Sequence, residues 1–553
     1  MKSFNLKGNK KVILILLTLT IILCVGAVSA TENVDSQLLK VNSTTHSSAM
    51  VKTTTNDGTG SGSSEITENS ASDDLKDTSN ENNQITSPDT SNETNGSEES
   101  NNNASENEEV SSEIDLENAI ILTKDNYQDM HDIFDDDLFI VINDTLENLS
   151  LEIYAQNITI TGINNPVLYN SHINVVEGNL HLSNVTFLTD DNSQYPQTVF
   201  METDDNLVEN VIFNDYRKGR DRNAEIHYRC INVYGNNNTV RNCTFNVTYR
   251  GMNINWATSV LAECQSQALV FHGNYNSLLE SRFDIKEAEL EYPGLTGEAL
   301  RTAKDNNKFN TVYTLSVYGN NNIVDLNNIT MNGTHYLYGI KIFRNNNMVT
   351  NNFINVSSIR YANGISIDGA AMNNTLRNNT IIINTKTDEL DDSGLIDAGY
   401  GIIITEYAYG GGKYKIENSK TVGNIIEENT ITGYSTHMWA IEQFGGHNTT
   451  VSRNNIDVAG YSVIGVAMIG EGTQITDNII NVVGQTNETQ ASPDYLRPQT
   501  SGVYIYQGNN TKISGNTIFA DTGPAIKTER ETNTQITDNV LVTNNNNVVI
   551  NIG

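Results

Sequence analysis

The sequence predicts an all-β protein: a right-handed single-stranded parallel β-helix (a solenoid) with a short N-terminal capping helix, preceded by a disordered stalk. Three observations predict it. A six-residue frame recurs along the chain, a second short run of alternating aliphatics precedes most copies, and residues 31–113 hold almost nothing that could build a core.

The frame is aliphatic, two residues, Asn, one residue, aliphatic. It opens at Val324, Val349, Leu376, Ile426, Val451, Ile475, Ile513 and Ile536, with degenerate copies at Leu182, Val208, Val240 and Leu278. The Asn slot is filled by Asn327, Asn352, Asn379, Asn429, Asn454, Asn478, Asn516 and Asn539, and by Cys243 and Ser281 in two degenerate copies. Successive openings lie 25, 27, 25, 24 and 23 residues apart where the spacing is regular. Steps of 38 and 46 mark insertions such as Glu287–Lys308 and Thr486–Thr500, and the step of 50 from Leu376 to Ile426 reads as two turns with one copy blurred near Gly401–Glu406. A period in the low twenties made of short strands means stacked β-coils. In the second run, Gly339 to Ile342, alternation sends Ile340 and Ile342 inward and Lys341 outward. The repeated Asn is expected at a bend, where it tolerates a left-handed backbone, and in stacked coils its amides form a structural ladder.

The expected divisions are 1–30, a signal peptide or N-terminal membrane anchor; 31–113, the stalk; 114–160, the cap and first strands; and 161–553, the repeat domain. Lys2, Lys7, Lys10 and Lys11 precede the apolar run Val12 to Val28, and Val28-Ser29-Ala30 offers a cleavage site. Uncleaved, the run is almost long enough to span a bilayer. The stalk has no Phe, Trp or Tyr, and sequons at Asn42, Asn92, Asn95 and Asn103. Without apolar groups to offset chain entropy it is expected to stay disordered and serve as a spacer. After Thr123, Tyr127, Met130, Ile133 and Phe134 fall at helical spacing, the expected lid over the first open coil.

Net charge is −34, with 67 acidic and 33 basic residues. That excludes nucleic acid and anionic lipid as partners, leaving the membrane only as the seat of an N-terminal anchor. Cys230, Cys243 and Cys264 follow the signal region, an odd number without framework spacing, so buried thiols are expected rather than a disulfide scaffold. No metal or cofactor signature is present, and the acid run Asp388 to Asp392 lacks calcium-loop spacing.

With its Lys-rich leader, polar stalk, the segment Leu122-Thr123-Lys124-Asp125-Asn126-Tyr127 and the Gly235-to-Val240 and Gly319-to-Val324 motifs, the whole chain resembles the adhesin-like, Asn/Thr-rich surface proteins of methanogenic archaea. The resemblance implies right-handed β-helix repeats, export to the cell surface and a non-catalytic adhesive role toward glycans or partner cells. Larger members carry a C-terminal membrane helix, sorting signal or wall-binding repeat; the sequence given shows none, so attachment is expected through the N-terminal segment or not at all.

Chemistry is sought on the outward side of the second strand. Phe343, Phe444, Tyr504, Tyr506 and Lys527, with Lys341 and Arg530, are the expected ligand-binding residues of a saccharide groove. The same fold hosts polysaccharide lyases and hydrolases, and this is the alternative reading. Its candidate carboxylates are Asp368, Glu406, Glu442 and Glu529. Coils stack about 4.8 Å apart, and inverting hydrolysis needs carboxyls about 6.5–9.5 Å apart, so outward acids on nearby coils meet that requirement. An ordinary solvated sheet face competes with both readings, and a purely structural envelope role with any ligand at all. Tyr249, Trp256 and the Tyr400–Tyr414 loop mark a second expected contact surface.

Overall fold

The computed structural model describes residues 51–53, 118–217, 228–250, 252–253, 266–288, 294–307, 310–369, 371–385, 398–405, 421–484, 500–544 and 548–552. Among them the chain winds into coils that each give one strand to three parallel sheets. Ile323–Asp325 lies on the first sheet, Asn328–Gly333 on the second and Tyr336–Ile342 on the third. The next coil repeats the set with Met348–Thr350, Phe353–Ser358 and Tyr361–Asp368, so that Val324 faces Val349, Ile329 faces Ile354 and Ile340 faces Ile365. A strand of three to eight residues cannot bury its own apolar side; stacking covers each coil with the next.

The aliphatics that open the frames form one column on the first sheet. It runs from Leu182 through Val208, Val240, Leu278, Val324 and every later frame to Ile536. It also extends back through Ile160 and Ile140 to Ile120. On the second sheet the core column passes from Leu146 and Leu168 to stacked Phe187, Phe213, Phe245 and Phe283 (centroids 5.3, 4.9 and 4.4 Å apart), then continues with Ile329 and Ile354.

Two expectations fail here for identifiable reasons. Leu376 pairs directly with Ile426, so the 50-residue step is one coil and not two. Its aliphatic run at Gly401 is the third-sheet strand of that coil, Ala398–Thr405, which imitates a frame because strand alternation is alike on all three sheets. The segment after Thr123 is not the expected capping helix. Tyr127–Asp129 is a single 3-10 turn, closed by the Thr123 N–H donating to Asn126 Oδ1 at 2.8 Å, and Asp132–Ile133 pairs in parallel with Glu152–Ile153. The acids Asp135, Asp136 and Asp137 would sit at the C-terminus of that helix, where the dipole opposes them. Tyr127 and Met130 still pack on the core, while Phe134 is exposed and stacks on Tyr154.

The insertion Glu287–Lys308 contains an α-helix, Gly297–Asn307. Of the expected stalk only Val51–Thr53 is described, running antiparallel to Asn539–Leu541. The rest of that stretch and the leader lie outside the described residues. Cys230 and Cys243 are buried free thiols; Cys264 is outside the described residues.

The structure places all eight frame asparagines in one buried column. Each Nδ2 donates to the Oδ1 of the next at 2.9–3.0 Å, from Asn327 to Asn352, Asn379, Asn429, Asn454, Asn478, Asn516 and Asn539. Each backbone N–H donates to the same oxygen, so one amide carbonyl satisfies two donors of the coil before it. The left-handed residue is not the ladder Asn but the one before it, as at Leu326, Asn351, Asn378, Glu428, Arg453 and Asp477. A second ladder, absent from the sequence reading, stands two residues before the frame. Asn238, Asn276, Asn322, Asn347, Asn374 and Asn424 form it, each again following a residue with positive φ; before Asn276 that residue is Tyr275, so the bend and not the side chain is fixed.

Asn379→Ala removes four ladder bonds: two donated, to Val349 O and Asn429 Oδ1, and two accepted, from the Asn352 amide and backbone N–H. Leaving a buried polar group unpaired costs about 1–3 kcal/mol, so a loss of about 3 kcal/mol is expected in denaturant unfolding. Asn379→Ser should recover part of it, because Ser281 fills the same slot and its Oγ receives the Cys243 N–H at 3.1 Å. Equal midpoints for wild type and Asn379→Ala would show that the ladder adds no net stability.

Candidate functional site

The third sheet turns sharply in each coil at a small residue. A Cβ on Gly339 would lie 2.5 Å from the Gly364 carbonyl oxygen, and the register skips this position, pairing Tyr338 with Asn363 and Ile340 with Ile365. Beyond the bend Ile340 and Ile342 fill the core. The alternate positions form outward rows along the axis. One runs Lys341, Ser366, Ile403, Glu442, Ala467, Tyr504, Lys527. A second holds Asp368, Thr405, Phe444 and Ile469, and further on Tyr506 beside Glu529.

These rows are not a solvated face. Lys341 is 4% exposed, Asp368 2%, Lys527 7% and Glu442 9%. A charge withdrawn from water needs a partner, and the structure divides the expected residues by what each has found.

Lys341 and Asp368 have found each other. Lys341 Nζ is 2.8 Å from Asp368 Oδ2, and the carboxylate also accepts from Ser366 Oγ and from Thr405 Oγ1. The ammonium stands 4.7 Å from the Tyr338 ring centre, 5.3 Å from Tyr313 and 5.4 Å from Phe343, a cation–π setting. Burial raises the pKa of both tyrosines, so they stay neutral donors. Asp368 is thus committed to an ion pair. Phe343 ends the stack Tyr234, His272, Tyr318, Phe343, with centroids 4.1, 5.2 and 4.5 Å apart. Rings stacked along the axis turn edges outward, whereas a sugar stacks on a ring face. Phe343 therefore braces the sheet instead of offering a platform.

Tyr504, Tyr506, Lys527 and Glu529 do converge, on two adjacent coils, and Arg530 joins them. Lys527 Nζ lies 5.2 Å from the Tyr504 ring centre and Arg530 Cζ 5.5 Å from that of Tyr506. Tyr504 Oη donates to Glu529 Oε2 at 3.1 Å, and Tyr506 Oη accepts from Arg530 at 3.0 Å and from Gln507 at 3.2 Å. Burial, with the Glu529 charge second, raises the Tyr504 pKa. Both tyrosines and Glu529 are half-buried and Arg530 is exposed, so this end of the face meets solvent.

Glu442 stands apart from both clusters. Its row neighbours are Ile403 and Ala467, and no ion pair or hydrogen bond to its carboxyl occurs among the described residues. Burial alone pushes its pKa up to about 8. It therefore carries a proton at neutral pH. Phe444 is half-buried one row away, and Glu406 lies outside the described residues.

Of the second expected contact surface, the two described residues are buried. Tyr249 is fully buried inside the coil, and Tyr400 is buried between Tyr361 and Trp439, with ring centres 5.3 and 5.8 Å away. Trp256 and the loop beyond Thr405 lie outside the described residues. Tyr249 belongs to a buried network that sequence reading missed. Arg217 forms a two-bond pair with Asp215, with Nε to Oδ1 at 2.7 Å, and also donates to the Tyr195 and Pro196 carbonyls. Tyr249 Oη donates to Asp215 Oδ2 at 2.8 Å, and burial holds the adjacent Cys230 thiol well above its ordinary pKa, hence unreactive. The available signal was an acid, Asp215, in a column whose next members are Val247 and Ile285.

These features define a parallel β-helix protein with one polar, ring-bearing outer face. No family model and no curated protein matches the sequence. Among solved structures the chain is similar to the alginate lyase AlyF-OU02, at 14% identity over 66% of this chain and 84% of that one, with a TM-score of 0.37. It is also similar to a mannuronic acid-specific polysaccharide family 6 lyase from human gut microbiota, at 12% identity over 75% and 86%, TM-score 0.32. The periplasmic alginate epimerase AlgG gives 11% identity over 73% and 78%, TM-score 0.27. At these identities and TM-scores no residue role passes from those proteins to this one.

Proposed function

We propose that the outer face of the third sheet binds carbohydrate, with a linear polysaccharide lying along the helix axis. The observation that carries this reading is the solvent-facing cluster of Tyr504, Tyr506, Glu529 and Arg530, backed by Lys527. Ring carbons beside fixed hydroxyl, carboxylate and guanidinium groups match a sugar, which presents C–H faces and hydroxyls together. Along the axis, coils repeat about every 4.8 Å, so a chain of pyranose units meets an equivalent row at each step.

In the setting the sequence suggests, an exported chain on a polar stalk, such a face would serve a surface adhesin-like protein that holds glycans.

The test is a glycan array followed by calorimetric titration with a positive polysaccharide. Tyr506→Ala and Arg530→Ala should each weaken binding about tenfold, the range of an interfacial group worth about 1–2 kcal/mol, with melting temperatures close to wild type. Wild-type protein that binds no glycan, or variants that bind unchanged, would refute the reading.

A further inference from the structure

The outermost polar groups of this face stand on a constrained backbone. The residue that follows the second outward row is a glycine after Asp368 and after Phe444, with φ of 71° and 84°. After Tyr506 and Glu529, which pair with each other in that row, it is Gln507 and Arg530, held in the same left-handed region at 53° and 55°. Glycine adopts this conformation without strain; a residue with a Cβ does not. Two adjacent coils therefore bear a strain that two others avoid. Both strained residues send their side chains to one atom: Gln507 Nε2 lies 3.2 Å and Arg530 Nη1 3.0 Å from Tyr506 Oη.

That convergence fixes which way the hydrogen bonds run. A phenol oxygen accepts through its lone pairs and donates its one proton. Gln507 and Arg530 fill the acceptor side of Tyr506, and no acceptor for its proton occurs among the described residues. The Arg530 guanidinium gives one N–H to Tyr506 and lies against its ring, and no carboxylate among the described residues is within ion-pair distance of it. Arg530 and Gln507 are both exposed. Apart from the Gln507 carbonyl, the three side chains offer the solvent only donors, set around a positive charge.

The nearby acids are turned away from this point. Glu529 Oε2 accepts from Tyr504 Oη at 3.1 Å. The Glu531 carboxyl is folded against Gly508, where it would collide with any Cβ, and burial raises its pKa. Ring contacts leave the charges of Lys527 and Arg530 in place, so Lys527 adds to the same field from beneath. The net charge of −34 does not reverse that field locally, because exposed charges beyond about 8 Å are largely screened at physiological ionic strength.

Resting on the carbohydrate reading, we propose that Tyr506, Gln507 and Arg530 form a subsite for an anionic group, carboxylate or sulfate, borne by the bound polysaccharide. A planar guanidinium fork beside a phenol proton matches the paired oxygens of such a group. The strain at Gln507 and Arg530 is then the cost of placing two donors on one phenol at the surface.

The experiment uses the full chain and two matched pairs of polymers: polygalacturonate with its methyl ester, and dextran sulfate with dextran. Within a pair the sugar backbone is the same and only the charge differs. Titration calorimetry at low and physiological salt should show the charged member of one pair binding about tenfold tighter, the worth of a charge-assisted hydrogen bond. Which pair responds tells carboxylate from sulfate, and the preference should shrink as salt rises. Arg530→Gln should erase it while leaving any binding of the neutral member unchanged; the preceding coil already carries a glutamine in this conformation, so the variant is expected to fold. Arg530→Gly, which relieves the strain, should melt no lower than wild type. A much lower melting temperature would make Arg530 a structural residue and overturn the proposal. Equal affinity within both pairs, a preference that survives Arg530→Gln, or array hits confined to neutral glycans would likewise overturn the anion subsite and leave the binding face standing. Binding of no polymer here and no glycan on the array would remove the face itself.

Discussion

Replacing Arg217 by Met is expected to destabilise the protein by about 3–5 kcal/mol, the cost of leaving one charge of a buried pair without its partner. Asp215 and Arg217 are each 1% exposed, and the guanidinium also ties down the Tyr195 and Pro196 carbonyls. Among the described residues, the Asp215 carboxylate of Arg217→Met keeps the Tyr249 hydroxyl and the weak Cys230 thiol as donors. The Asp215→Leu, Arg217→Met double variant should recover more than half of the loss. Neighbouring coils already place Val247 and Ile285 in the Asp215 column, so an aliphatic fits there. Denaturant unfolding of the four proteins closes a double-mutant cycle. Additive losses would mean that the two residues are not coupled, and an unchanged Arg217→Met would mean that the pair contributes nothing.

That network shows where legibility ended. The aliphatic columns and the frame ladder could be read because the same residue types return at the same place coil after coil, and each stacked position constrains the next. The second ladder was present in the letters Asn322, Asn347, Asn374 and Asn424, but an Asn-rich chain hides one more Asn. Thr449, Thr473 and Thr511 then replace it in later coils, which blurs the column further. The Asp215–Arg217 pair breaks the inward pattern once and has no repeat to announce it. The outer face was legible in direction only. Alternation sends Lys341, Glu442 and Lys527 outward, yet their burial depends on what lies over the sheet, which no period within the repeat encodes. The same limit explains Phe343 and Tyr506: both were read as ring platforms, but only the coordinates separate a ring stacked on its neighbour from one beside a cation at the surface.

Between about pH 4.5 and 8 the wild-type protein is expected to lose stability that Glu442→Gln keeps. The folded Glu442 has its pKa pushed from 4.5 up to about 8 by burial. Below pH 4.5 both folded and unfolded chains hold the proton and the residue contributes no pH dependence. Above it the unfolded chain releases the proton while the folded one retains it. The folded state then binds more protons, so unfolding becomes easier as pH rises, and the loss is complete above about 8. The gap sets an upper limit of about 5 kcal/mol. His272, held down to about 4 by burial, acts in the opposite sense below its ordinary value of 6.5, but it is common to both proteins and cancels in the comparison. Asp521 and Glu531 are shifted upward like Glu442, but they are common to both proteins and cancel in the comparison. Melting curves of wild type and Glu442→Gln should therefore diverge from about pH 4.5 to 8 and run parallel beyond. Curves that stay parallel throughout would show that Glu442 is solvated and ionised like any surface acid. The loss of stability measured this way is the free energy by which burial holds the proton on Glu442.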